Sequence, residues 1–126
     1  MRLNQVTLHV TDLGRSVRFY RTLGLKQIVD SDDYARFVCP DGDETLSLDV
    51  VDTLQAGATD VIYFECRDLD ADVQALIAEG IVFDTPPTDQ SWLWREAYLR
   101  DPDGHVLCLF HAGDNRLNPP WRLPDP

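Results

Sequence analysis

The sequence predicts an α+β fold: two tandem βαβββ units forming one pseudo-symmetric domain, with a curved sheet around a cleft. The first observation behind this is an internal repeat. "VTLHVTDLGRSVRFYRTLGL", followed later by "VCPDGDETLSLDV", matches "VIYFECRDLDADVQALIAEGI", followed later by "LRDPDGHVLCLF". Each half reads as a strand, a TDL or RDL step, a helix, and a PDG turn feeding another strand. Asp12 matches Asp68, Pro40 matches Pro102, and Ser47 matches Cys108. The second observation is size: 126 residues suffice for one domain with a real core and are too few for two ordinary ones. Neither half could bury its sheet face alone, so the repeat implies one shared domain.

The elements follow in order. Residues 3–10 alternate as a strand, and Thr11 or Asp12 caps a helix that runs to about residue 22 and ends at Gly24. Val17 and Tyr20, with Leu13 and Leu23, supply its buried stripe. Strands are expected near 25–30, 34–39 and 44–51. The second half opens with a strand at 60–66 and a helix from Asp70 to Glu79, stopped by Gly80, in which Val73, Leu76 and Ile77 stand at helical spacing. Strands near 81–84, 93–100 and 105–111 complete it. In the last turn, Pro102 presets φ and Gly104 accepts φ > 0. The domain is expected to span 1–112, with half-units of about 1–52 and 58–112. The tail 113–126, "GDNRLNPPWRLPDP", holds too much proline for a helix or an inner strand.

Composition narrows the function classes. Hydrophobic residues make up 44% and charged residues 26%, which is the balance of an ordered globular chain. No apolar stretch reaches the length of a membrane span, and the N-terminus lacks a signal-peptide pattern. Three cysteines, Cys39, Cys66 and Cys108, are odd in number and widely spaced, which points to free thiols and a cytoplasmic location. A net charge of −11 disfavours nucleic-acid and anionic-membrane partners. That charge either keeps the chain soluble or lines a site for a cationic ligand.

With the helices on one sheet face, alternation assigns the other face to the cleft. From the first half it presents Gln5, Thr7 and His9, then Tyr34 and Arg36, then Thr45, Ser47 and Asp49. From the second half it presents Val61, Tyr63 and Glu65, then Trp94, Glu96 and Tyr98, then Val106, Cys108 and Phe110. The candidate ligand-binding residues are therefore Gln5, Thr7, His9, Arg36, Ser47, Asp49, Tyr63, Glu65, Trp94, Glu96, Tyr98, Cys108 and Phe110. No catalytic residue is assigned.

The stretches "LHVTDLGRSVRFYRTLGL" and "REAYLRDPDGHVLCLF" resemble the vicinal oxygen chelate superfamily, which includes glyoxalase I, bleomycin and fosfomycin resistance proteins, and extradiol dioxygenases. The resemblance covers about residues 3–111 and speaks for the fold, since one fold hosts several chemistries. It implies a divalent metal held by four strands, at positions that fall on Gln5, on Ser47 or Asp49, on Val61 and on Cys108. The family's usual occupants are His or Gln, Glu, His and Glu. Here Gln5 offers an oxygen, Asp49 requires a register shift of two, and Val61 offers nothing. Cys108 is a poor match for oxygen-preferring metals. No metal or other cofactor is expected, with Gln5, Asp49, Cys108 and His9 as the candidate ligands should a divalent ion bind.

His9 reads either as a cleft base or as a hydrogen-bonded wall residue. His105 is expected in solvent after the turn, and His111 as a tie for the tail. Trp94, Tyr98, Tyr63, Tyr34 and Phe110 on the cleft face suit an aromatic or cationic organic ligand; equally, aromatics pack well on any pleated sheet. Arg36 and Arg95 could neutralise the nearby acids. Three functions remain: a metal-free small-molecule-binding protein, a lyase, isomerase or dioxygenase with an altered metal site, or a regulatory or partner-binding module. The first is preferred. A homodimer is expected, with Trp121 of the tail as an apolar anchor.

Overall fold

The structure is a computed structural model and describes residues 3–55 and 60–125. The expected limits at residues 1, 58 and 126 lie outside the described residues. In chain order the elements are β1 (Gln5–Val10), α1 (Leu13–Thr22), β2 (Lys26–Asp30), β3 (Tyr34–Val38), β4 (Thr45–Val50), β5 (Val61–Glu65), α2 (Leu69–Ala78), β6 (Thr88–Asp89), β7 (Arg95–Arg100) and β8 (Val106–His111). They make two compact units: residues 3–55 with 101–104, and residues 60–100 with 105–125.

Both units have one topology. The first sheet runs β1-β4-β3-β2 and the second β5-β8-β7-β6. In each, the first strand pairs in parallel with the last, and the two middle strands add to it antiparallel. The doubled α+β reading is thus correct. The helices begin alike. Asp12 accepts a hydrogen bond from the Arg15 backbone N–H at 3.0 Å, and Asp68 accepts one from Ala71 at 3.2 Å, which satisfies one orphan donor at each helix start. They also end alike: Gly24 and Gly80 take φ of 104° and 94°, a left-handed conformation that a side chain would strain.

In the first unit α1 packs on β3 and β4. Tyr20 and Leu25 are buried with Leu8, Val10, Ala35, Phe37, Leu46 and Leu48. The expected helix stripe needs one correction. Val17, Leu13 and Leu23 are half-buried, and Ser16 is the fully buried partner of Tyr20. Its hydroxyl donates to Asp103 at 3.3 Å. Tyr20 likewise donates to Asp101 at 2.7 Å, so residues 101–104 complete the core of the first unit. In the second unit Leu69 and Val73 of α2 are buried with Ala97, Leu99, Leu107 and Leu109, while Ile77 is exposed.

The expected strand at 81–84 is absent. Only Phe83 forms a bridge, to Leu99, and the edge strand is the two-residue β6 further on. Pro86 and Pro87 follow and have no N–H to give, so ladder pairing cannot continue through them. The strand expected from residue 93 begins at Arg95. The tail carries a 3-10 turn at Gly113–Arg116, before its prolines begin. No helix among the described residues is long and apolar enough to cross a membrane.

Candidate functional site

Register decides which candidate side chains meet. In the first unit Thr7 lies beside Ser47 and Ser47 beside Arg36, while His9 lies beside Asp49 and Asp49 beside Tyr34. Residues i and i+2 share a face, so Gln5, Thr7, His9, Thr45, Ser47, Asp49, Tyr34 and Arg36 all share the face turned from α1. It is a polar face. The Gln5 side-chain oxygen accepts from the Thr45 hydroxyl at 2.9 Å. The Tyr34 hydroxyl lies 2.7 Å from that of buried Ser47 and accepts from Arg36 Nε at 2.9 Å. These contacts, led by the Ser47 hydrogen bond, draw the Tyr34 phenol below its ordinary pKa.

The second unit has the opposite character. Tyr63, Cys108 and Tyr98 form one row across β5, β8 and β7, and Glu65, Phe110 and Glu96 form the next. Trp94 lies flat on Phe110, with ring centroids 4.5 Å apart and planes at 15°. Tyr63 meets both rings edge-on, at 5.9 and 5.7 Å. Cys108, Phe110 and Ala112 are buried under Trp94, Tyr98 and Val61, so this face is a small core of its own. Tyr63 remains 46% exposed.

Glu96 is 1% exposed within this group. Trp92 Nε1 donates to one of its oxygens and the Tyr98 hydroxyl to the other, both at 2.7 Å. Burial and this carboxylate together push the Tyr98 phenol up. Glu65 accepts from the Ala112 backbone N–H at 3.3 Å and faces Arg116 at 3.7 Å. Arg95 pairs with Asp70 and Asp89, at 2.9 and 3.0 Å. Trp92 was absent from the sequence-based candidates. It reaches Glu96 through a turn in which Leu93 takes φ of 68° and donates its N–H to Gln90. Segment 90–93, Gln-Ser-Trp-Leu, has no glycine, proline or asparagine to signal that turn. Beside it, a cavity of about 520 Å³ is lined by Trp94, Leu93, Gln90, His111, Ala112 and Asn115, among others.

The histidines separate. His111 Nδ1 donates to the Cys66 carbonyl at 2.8 Å, so it ties the last strand to the end of β5. His105 is half-buried, not fully solvated. His9 is exposed on the polar face.

A family-model match spans residues 2–109 and carries the description Glyoxalase/Bleomycin resistance protein/Dioxygenase superfamily. The chain belongs to this superfamily. A crystal structure of a glyoxalase/bleomycin resistance protein/dioxygenase from Nocardioides is similar at TM-score 0.77 and 27% identity, over 98% of this chain and 90% of that one. The lactoylglutathione lyase structure from Agrobacterium tumefaciens has TM-score 0.73 at 20% identity, over 87% and 92%, which shows the shared fold. YraH of Bacillus subtilis (strain 168) is 27% identical over 87% of this chain and 98% of its own length.

The residues at the superfamily's metal positions do not fit a divalent ion. Asp49 stands beside His9, four residues along from the Thr45 that faces Gln5; at strand rise that is roughly 13 Å, too far for Gln5 and Asp49 to share an ion. Ser47 is engaged with Tyr34. Val61 has no donor atom. The Cys108 thiol is fully buried and pushed up to about 12, first by burial and then by the Glu96 charge, so it stays protonated. Among the described residues no group of three or more His, Cys, Asp or Glu is placed to hold a metal.

Proposed function

We propose that this superfamily member is a small-molecule-binding protein. It takes an aromatic organic ligand against the ring cluster of the second unit and works without a catalytic metal. The observation that carries this is the Trp94–Phe110 stack with Tyr63, an exposed residue, edge-on beside it. Ring surfaces fixed by their neighbours bind a flat ligand at little entropic cost. Glu96 and Glu65, the acids on this face, already have donors of their own, so ring contact selects the ligand more than charge does. Charge composition and unpaired cysteines support a cytoplasmic, nucleic-acid-free setting.

Tryptophan emission titrated with planar neutral, planar cationic and non-aromatic compounds tests the reading. Planar compounds should quench and shift the emission, neutral ones within a few-fold of cationic ones. Trp94→Ala should weaken binding by about tenfold or more, a loss of order 1–2 kcal/mol. Equal affinity for non-aromatic compounds, or an unaffected Trp94→Ala, would overturn it.

A further inference from the structure

Two arginines on the described sheets are half-buried, and they differ in one respect. Arg95 is claimed by Asp70 and Asp89. Among the described residues Arg36 has no carboxylate partner, and its one hydrogen bond is to Tyr34. Its Nε–H is fixed on the Tyr34 hydroxyl at 2.9 Å, and its guanidinium carbon lies 5.4 Å from the Tyr34 ring centroid. The Tyr34 hydroxyl is in turn fixed by Ser47, a fully buried residue at the centre of the sheet. A side chain of high rotamer entropy is thus held in one orientation while its two terminal nitrogens have no acceptor among the described residues. We propose that Arg36, oriented by Tyr34 and Ser47, is a receptor for the carboxylate of a small organic acid on the polar face of the first unit.

The chemistry selects that ligand class. With Nε engaged, the end-on pair Nη1 and Nη2 remains, a planar fork that matches the two oxygens of a carboxylate. A phosphate dianion would need further cations or a ring of backbone N–H groups. By register the nearest further cation on this face is Lys26, beside Val38 at the sheet edge, and Asp49, beside Tyr34, opposes a second negative charge. The body of the acid would lie over Ser47 toward Thr7, which occupies the same row one strand further on. Thr7 is exposed and offers a hydroxyl for a polar substituent there.

The test uses propionate, which has no ring, so it is independent of the aromatic reading above. Propionate, propionamide and inorganic phosphate are titrated into the intact protein while the Arg36 Nε–H resonance is followed by NMR. Propionate should shift that resonance saturably, and propionamide should bind about tenfold more weakly or not at all. Arg36→Lys keeps the charge and loses the fork; it should lose most of the affinity, as should Arg36→Gln. Tyr34→Phe, which frees the guanidinium, should weaken binding less. An unshifted resonance, equal binding of propionamide, tighter binding of phosphate, or full affinity in Arg36→Lys would each overturn the proposal.

Discussion

The Cys108 thiol combines full burial with a pKa pushed up to about 12, and both have measurable consequences. Its folded-state pKa exceeds that of an unfolded thiol, so the native state holds the proton more tightly. The stabilisation is therefore complete below the ordinary thiol pKa and is lost as pH rises toward about 12. Cys66, also pushed to about 12 by burial and by Asp72, acts with the same sign, as do the raised phenols of Tyr20 and Tyr98. Urea unfolding under reducing conditions should show steady stability near neutral pH and a decline above pH ~9. Cys108→Ala should make that decline shallower, by at most about 1.4 kcal/mol per pH unit for one proton. Native Cys108 should react slowly with thiol reagents, and elemental analysis after exposure to zinc, nickel, manganese and ferrous iron should find no stoichiometric metal. One tightly held ion per chain, lost in Cys108→Ala, would reverse the metal-free reading. Alternation in "HVLCLFH" placed Cys108 on the face turned from the helix. Its burial was not legible there, because Trp94 and Tyr98, which cover it, come from another stretch of chain.

Among the elements, the β6–β7 connection departs furthest from what the sequence suggests. Its counterpart in the first unit, β2 into β3, pairs at four positions across Lys26–Asp30, whereas Pro86 and Pro87 reduce the second edge strand to Thr88–Asp89. Repeat symmetry alone predicts equal strands; the two missing N–H groups break it. The chain then makes an unsignalled turn through Leu93, at φ of 68°, that hangs Trp92 over Glu96. A left-handed leucine costs of order 1 kcal/mol and persists only where the surroundings over-determine it, here through both the indole bond and the Trp94 stack. Glu96 holds this connection. Glu96→Ala should cost about 2–4 kcal/mol in urea unfolding, since it opens a void and strips the acceptor from two donors. Glu96→Gln, which keeps the shape and can still face Trp92 with its oxygen, should cost about 1 kcal/mol. Emission from Trp92 should move to the red in the alanine variant and hold in the glutamine variant. If both variants match the parent, Glu96 does not hold the turn.

For the whole molecule, the doubled topology was readable because both halves carry the same punctuation: an aspartate before the helix, a glycine after it, and a Pro-Asp-Gly turn before the last strand. The allegiance of residues 101–104 was not. They lie in the second repeat, yet Asp103 accepts from the Thr11 backbone and hydroxyl, from Arg15 and from Ser16, and so belongs to the first unit. Contacts across some 90 residues of sequence leave no periodic signal. The tail leaves large apolar side chains in solvent. Trp121 is 57% exposed and Leu117 60%, an unusual amount of apolar surface for one short segment to leave in water. We propose that it meets a second copy of the chain. Light scattering coupled to size exclusion should give twice the 14.3 kDa chain mass. A variant ending at Gly113, and separately Trp121→Ala in the full chain, should shift the equilibrium toward monomer. The point variant should raise the dissociation constant about tenfold or more if Trp121 anchors the contact. A monomer mass that does not change with concentration would remove the proposal. A dimer indifferent to both changes would place its interface elsewhere than the tail.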